Sequence, residues 1–139
     1  MISHSKIVVR YAETDKMAIV HHSNYPIWFE VARTDYIKNL GVHYRELENR
    51  GFMLPLVDLS CHYISPAYYE DELDVSARVI NITYASMEYY YTVSRGSQLL
   101  CTGKTKHGIV DSKTFRPMNI KKFDSKLFEL LKSNVEKID

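Results

Sequence analysis

The segment Arg10-Tyr11-Ala12-Glu13-Thr14-Asp15-Lys16-Met17-Ala18-Ile19-Val20-His21-His22-Ser23-Asn24-Tyr25 is the densest polar cluster in an otherwise apolar neighbourhood. Asp15 and His22 flank an apolar bend, Met17 to Val20, that would tuck the loop against the protein. Just beyond it, Ser23 or Asn24 can cap a helix and Pro26 suits its first turn. A carboxylate beside a helix N-terminus is a useful pair. The free N–H groups and the helix dipole can stabilise an oxyanion developing on a bound carbonyl. The carboxylate can attack that carbonyl or take a proton from an attacking water. From spacing alone, however, a turn-forming or capping Asp is the commoner role.

Other chemistries find less support. Asp15, His21 and His22 are neighbours, but no spaced His pair and no fourth ligand accompany them, so no metal site is expected. No Ser sits in a GxSxG turn, and neither Cys61 nor Cys101 has a recognisable partner. In a reducing compartment the two read as buried thiols. The five glycines form no GxGxxG or GxxxxGK[ST] pattern, which removes the usual support for dinucleotide or P-loop binding.

The elements that must hold the loop follow from periodicity. Residues 6–11, with β-branched Ile7, Val8 and Val9 between polar neighbours, read as a first strand. A helix should run from Ser23 or Asn24 to about Leu40 and stop at Gly41. Ile27, Trp28, Val31, Ala32, Tyr36, Ile37 and Leu40 give it a broad apolar face. Residues 44–49 make a further helical turn. The period then changes: residues 52–64 alternate, with Val57, Leu59, Cys61 and Tyr63 on one face. Leu73, Val75, Ala77 and Val79 alternate next, then Met87, Tyr89, Tyr91 and Val93, and residues 99–111 form a last long strand. Leu127, Leu130 and Leu131 mark a short C-terminal helix. Strand, long buried helix, then a run of strands separated by short turns spells an α+β domain, with an antiparallel sheet wrapped over one helix. A single domain over residues 1–139 is expected.

Composition bounds the partners. Eighteen Lys and Arg against 17 Asp and Glu give a formal net charge of +1, which argues against nucleic-acid binding. The longest charge-free window, residues 17–29, is too short for a membrane span and contains two His, an Asn and a Pro. No apolar signal segment opens the chain, so a cytoplasmic protein is expected. Seventeen aromatics, 11 of them Tyr, are the unusual count (the Trp, 11 Tyr and five Phe together). Residues 88–92 carry Tyr on both faces, which suggests either a second face covered by another subunit or simple β-propensity.

Arg10-Tyr11-x-Glu13-Thr14-Asp15, followed by Val20-x-His22-x-x-Tyr25-x-x-x-Phe29-x-x-Ala32-Arg33, resembles the signature of hotdog-fold acyl-CoA thioesterases, in particular the 4-hydroxybenzoyl-CoA thioesterase and YbgC-like group. Tyr63-Ile64-Ser65-Pro66-Ala67-x-Tyr69-x-Asp71-x-Leu73-x-Val75 resembles a later family segment, and Asp111-x-x-Thr114-x-Arg116-Pro117-Met118-x-Ile120 its closing one. One departure is Ala18, where the family often has Gly. A required positive φ there would disfavour Ala, so a slightly rearranged loop is expected.

The resemblance implies a hotdog fold and hydrolysis of an acyl thioester of coenzyme A or of acyl carrier protein. Coenzyme A is then part of the substrate and no separate cofactor is needed. Asp15 matches the catalytic carboxylate as nucleophile or general base. His22 matches a position at the helix start whose backbone N–H could polarise the thioester oxygen; its ring is read equally as catalytic or as packing. Tyr25 is read equally as acyl-pocket wall or core aromatic. Glu13 and Thr14 shape the loop. Lys104, Lys106, Arg116, Lys121 and Lys122 are candidates for the nucleotide phosphates, each equally readable as solvated surface. The family further implies a homodimer or homotetramer. Two alternatives remain: a hotdog enoyl-thioester hydratase or dehydratase, and a non-catalytic acyl-CoA-binding hotdog domain.

Overall fold

A computed structural model describes residues 1–138. The order of elements is β1 (Ser3–Val8), a 3₁₀ turn (Tyr11–Glu13), α1 (Asn24–Asn39), α2 (Tyr44–Asn49), β2 (Phe52–Met53), β3 (Leu56–Tyr63), β4 (Glu72–Ile82), β5 (Ser86–Arg95), β6 (Gln98–Gly108), β7 (Val110–Asp111), α3 (Ile120–Phe123) and α4 (Ser125–Ser133). Five strands form one antiparallel sheet in the order β1-β4-β5-β6-β3, and β2 pairs with β7 beside it. The sheet carries α1 on one face, the α+β arrangement expected.

The core forms because period-two strands meet a period-3.6 helix. Leu73, Val75, Ala77 and Val79 of β4 and Met87, Tyr89, Tyr91 and Val93 of β5 are all buried, as alternation requires. From α1 come Trp28, Phe29, Ala32, Tyr36 and Ile37. Phe29 stacks flat on Tyr91, with ring centroids 4.4 Å apart and planes 7° from parallel. Gly103 on β6 makes room for that ring, since a Cβ there would stand inside contact distance of Phe29 Cε2. The helix can therefore pack closely on the sheet at this point.

Several expectations change. Ile27 and Val31 are 54% and 39% exposed, so the apolar stripe of α1 is narrower than its composition suggests. The first strand begins at Ser3 rather than at residue 6. Pairing with β4 draws Ser3 and Ser5 inside, where Asn39 Nδ2 donates to Ser3 Oγ (2.7 Å) and Ser5 Oγ donates to Asp35 (2.6 Å). Those partners lie 36 and 30 positions away, and no local pattern reveals them. The strand expected over 52–64 divides into β2 and β3 around Pro55, whose carbonyl still accepts from Gly108 N–H at 3.0 Å. The last strand divides likewise into β6 and β7. Ahead of the C-terminal helix lies the short α3, and Asp124 caps α4 by accepting from Leu127 N–H at 3.1 Å. Tyr90 lies under the Arg78 guanidinium, 5.5 Å from ring centroid to Cζ, so its outward face has partial cover from this chain.

Candidate active site

The polar loop folds into a small hairpin. Thr14 bridges to Val20, Asp15 N–H donates to Ile19 O (2.9 Å), and Ala18 N–H donates to Asp15 O (2.9 Å). At the tip Asp15 Oδ1 accepts from Met17 N–H at 2.8 Å. Its other carboxylate oxygen accepts no hydrogen bond among the described residues. Ala18 sits at φ +64. The expected rearrangement does not avoid the left-handed region; Ala18 adopts it and bears a strain of about 1–2 kcal/mol. Val20 N–H donating to Ala67 O (2.9 Å) and a bridge from Ile19 to Tyr68 dock the hairpin on the segment after β3.

Glu13 shapes the loop from beneath. It is 5% exposed, yet it is charged and fully engaged. Arg10 N–H donates to Oε1 at 2.7 Å, and Trp28 Nε1 donates to Oε2 at 3.0 Å with the Arg10 guanidinium at 3.4 Å. Burial alone would raise its pKa; these donors outweigh burial and hold the carboxyl below its ordinary value.

At the entry to α1 the capping expectation changes. Ser23 is already helical in φ and ψ, and its side chain does not cap the helix. Its hydroxyl pairs with His21 Nδ1 (2.8 Å), which also accepts the Ser23 N–H (3.2 Å). The Asn24 amide donates instead to the carbonyls of Glu13 (2.9 Å) and His21 (3.2 Å). Asn24 and Tyr25 turn their own N–H groups back to His21 O (3.1 Å) and His22 O (3.3 Å), and Pro26 has none. The N–H of His22 has no acceptor among the described residues. It is the donor this turn leaves free for a ligand.

Asp15, His22 and Tyr25 border one cleft of ≈ 320 Å³. Met17, Ile19, Val20, Ile64 and Pro66 supply its apolar lining, and Tyr63 closes one side. The rings of Tyr25 and Tyr63 meet edge to face with centroids 5.2 Å apart. Tyr63 hydroxyl donates to His22 O at 3.3 Å. Burial pushes the Tyr25 phenol up to about 12, and burial followed by the Cys61 thiol raises Tyr63 as well. Both are neutral donors near pH 7, unsuited to act as bases. Tyr25 is core aromatic and cleft wall at once.

The basic candidates lie elsewhere. Lys104 and Lys106 alternate with the buried Gly103, Thr105 and His107, so they project from the face of β6 away from α1. Arg116 follows β7, where its carbonyl accepts from Asp111 N–H at 2.9 Å. Lys121 is 5.5 Å from the Tyr84 ring centroid. None of them, nor Lys122, borders the cleft of this chain. Among the described residues no three His, Cys, Asp or Glu side chains form a metal-binding group, and no helix is long and apolar enough to cross a membrane. The contributions of Tyr63 and of the Glu13–Trp28 pair are additions from the structure. The available signal for Tyr63 was its place at the head of the Tyr63–Pro66 motif.

Known proteins resemble the chain over most of its length. The family model described as thioesterase-like superfamily matches residues 9–129. YneP of Bacillus subtilis, which carries a provisional acyl-CoA thioesterase assignment, is 35% identical over 122 residues, 87% of this chain and 88% of its own. The acyl-CoA thioesterase YbgC of Haemophilus influenzae is 27% identical over 125 residues, covering 89% and 92%. Among solved structures, a DHNA-CoA thioesterase of Staphylococcus aureus superposes with a TM-score of 0.90 at 33% identity, over 95% of this chain and 89% of that one. The fold is the hotdog fold.

Proposed function

The chain belongs to the thioesterase-like superfamily, and from that premise we propose that it hydrolyses acyl-coenzyme A at the cleft between Asp15 and His22. It is a thioester hydrolase. The observation that carries the finer reading is that two residues bordering one cleft each keep a group without a partner among the described residues. One is a carboxylate oxygen of Asp15 and the other is the N–H of His22, at the positive end of α1.

The thioester carbonyl oxygen lies against the His22 N–H, where the helix dipole adds to the stabilisation of developing negative charge. Asp15 attacks the carbonyl carbon, or takes the proton of a water that attacks it. The carbon–sulfur bond then breaks, and coenzyme A leaves as a thiolate. Where Asp15 is the nucleophile, the acyl group stays on it as a mixed anhydride that water then hydrolyses; where it is the base, the proton it took passes on to the thiolate. A thiol with a pKa of about 8.5 needs no strong acid to depart. The products are the free acid and the thiol, and water is the co-substrate. Coenzyme A enters as part of the substrate, with no further cofactor. Apolar side chains and two neutral phenols surround the acyl group, in a volume at the lower end of the range usual for small-molecule sites. Free, unbridged Cys61 and Cys101 are in keeping with a cytoplasmic setting.

The proposal includes a homodimer or homotetramer. β3 is one of the two edges of the five-stranded sheet, and Leu56, Val57, Leu59 and Tyr63 along it are exposed. A long apolar edge invites pairing with another strand, and a second copy is the simplest occupant.

Thiol release from a panel of short-chain, long-chain and aromatic acyl-CoAs tests the activity. Release from at least one substrate class is expected. Binding of acyl-CoA with no release from any would overturn hydrolysis, and hydration of an enoyl-CoA would point to the hydratase chemistry instead.

A further inference from the structure

We propose that Glu13 is a positioning residue for hydrolysis: its buried hydrogen bonds set the direction of the His22 N–H relative to Asp15. The proposal rests on the reading that this N–H meets the thioester oxygen. Glu13 joins three parts of the chain. Its carboxylate takes the N–H and guanidinium of Arg10 from the start of the 3₁₀ turn and the indole N–H of Trp28 from α1. Its backbone carbonyl accepts His21 N–H at 2.8 Å and Asn24 Nδ2 at 2.9 Å. The residues on either side of His22 are thereby held. His21 is held through its N–H to Glu13 O, and Ser23 through its N–H to the His21 ring. In the other direction, Glu13 stands two residues before Asp15, ahead of the hairpin that carries it.

The chemistry of the pocket calls for a carboxylate. The buried indole N–H of Trp28 and the part-buried backbone N–H of Arg10 approach opposite oxygens, and the buried one in particular needs an acceptor. A glutamine offers one carbonyl oxygen and turns an NH₂ toward the other donor. One contact becomes donor against donor, and the turn must shift to relieve it. An apolar residue would strand both donors. Because Trp28 packs within 4.9 Å of the Tyr25 ring, a shift at Glu13 reaches the cleft by a second route.

Glu13→Gln and Trp28→Phe test this in the full-length protein. Trp28 is the chain's only tryptophan, so its indole N–H gives a single resonance in an amide-correlation spectrum. In Glu13→Gln that resonance and the His22 amide should both move. With a substrate that is turned over, kcat should fall by about 10²-fold, the scale of a small misplacement of catalytic groups. KM should stay within about twofold. Trp28→Phe keeps an apolar ring while removing the donor and part of the buried ring volume, so it covers the case in which the Gln variant does not fold. It should move the His22 amide and lower kcat in the same sense. A Gln variant with a shifted indole resonance and a lower Tm, but wild-type kcat and His22 amide, would overturn the proposal and leave Glu13 a structural buttress. If the wild-type protein turns over no acyl-CoA, the thioesterase reading fails by itself. The His22 amide then still decides whether Glu13 controls the turn.

Discussion

Tyr63 hydroxyl donates to the His22 carbonyl oxygen at 3.3 Å, tying the end of β3 to the entry of α1. The bond joins two residues that border the cleft and holds the peptide that follows the free His22 N–H. A single neutral hydrogen bond contributes about 0.5–1.5 kcal/mol, and an exposed one falls at the low end. Tyr63→Phe should therefore melt close to wild type while kcat falls by less than about tenfold. A loss as large as that of an Asp15 variant would give Tyr63 a direct chemical role.

Asp15→Asn should fold normally, because the side-chain oxygen of Asn can still accept the Met17 N–H. It removes the proton acceptor or nucleophile, so hydrolysis should slow by about 10²–10⁴-fold. Steady-state kinetics on the best acyl-CoA give the number. Near-normal turnover would exclude Asp15 as the reacting carboxylate. Single turnover in ¹⁸O-water, followed by mass analysis of the protein, separates nucleophile from general base.

Ala18→Gly should stabilise the fold. Ala18 lies at φ +64, a conformation that glycine adopts without a Cβ clash. The extra entropy of a glycine in the unfolded chain offsets part of the gain. A net increase of up to about 1 kcal/mol should appear as a Tm rise of a few degrees. A lower Tm would mean that Ala18 is not strained.

Acid should weaken the protein through His107 before its carboxylates are protonated. His107 is buried between Leu54 O (3.1 Å) and Thr105 Oγ1 (2.9 Å). Desolvation, with a contribution from the Arg33 charge, lowers its pKa from 6.5 to about 4. The folded state thus binds fewer protons than the unfolded state across that window. Stability is complete above pH 6.5 and declines as pH falls toward 4, by about 3 kcal/mol at most. Glu13, whose carboxyl is held low, adds its loss only below its unfolded value of 4.5. Urea unfolding between pH 7 and 4.5 measures the slope, and His107→Gln should flatten it.

Leu59→Glu should separate the subunits. Leu59 lies on the exposed edge strand, where a charge opposes strand addition. Sedimentation should give an oligomer for wild type and a monomer for the variant. A wild-type monomer would remove the edge-pairing proposal and leave the cleft chemistry untouched.

Much of the fold is legible in local pattern. The span of α1 follows from its start signals, its apolar spacing and Gly41, and 44–49 forms the helical turn expected. The buried alternation of Leu73 to Val79 and Met87 to Val93 is that of the sequence. Ser3 and Ser5 were hidden because their partners, Asn39 and Asp35, are distant in the chain. The break at Pro55 and the exposed β3 were hidden for a related reason. An edge strand has the same period as a buried one, and only sheet order distinguishes them.

The sequence by itself determined that Asp15 and His22 share one short loop ahead of a helix; the hairpin that folds this loop back on itself brings them to one cleft. Only the tertiary structure decided which donor at that helix start is free. Asn24 and Tyr25 close their N–H groups on His21 and His22. It also decided that Tyr63 and Pro66 complete the cleft while Lys104 and Lys106 face away. The physical reason is that strand register assigns faces, and a shift of one residue would exchange them. Register is set by packing across the whole sheet, where Phe29 on Tyr91 over Gly103 leaves α1 a single height at which to sit.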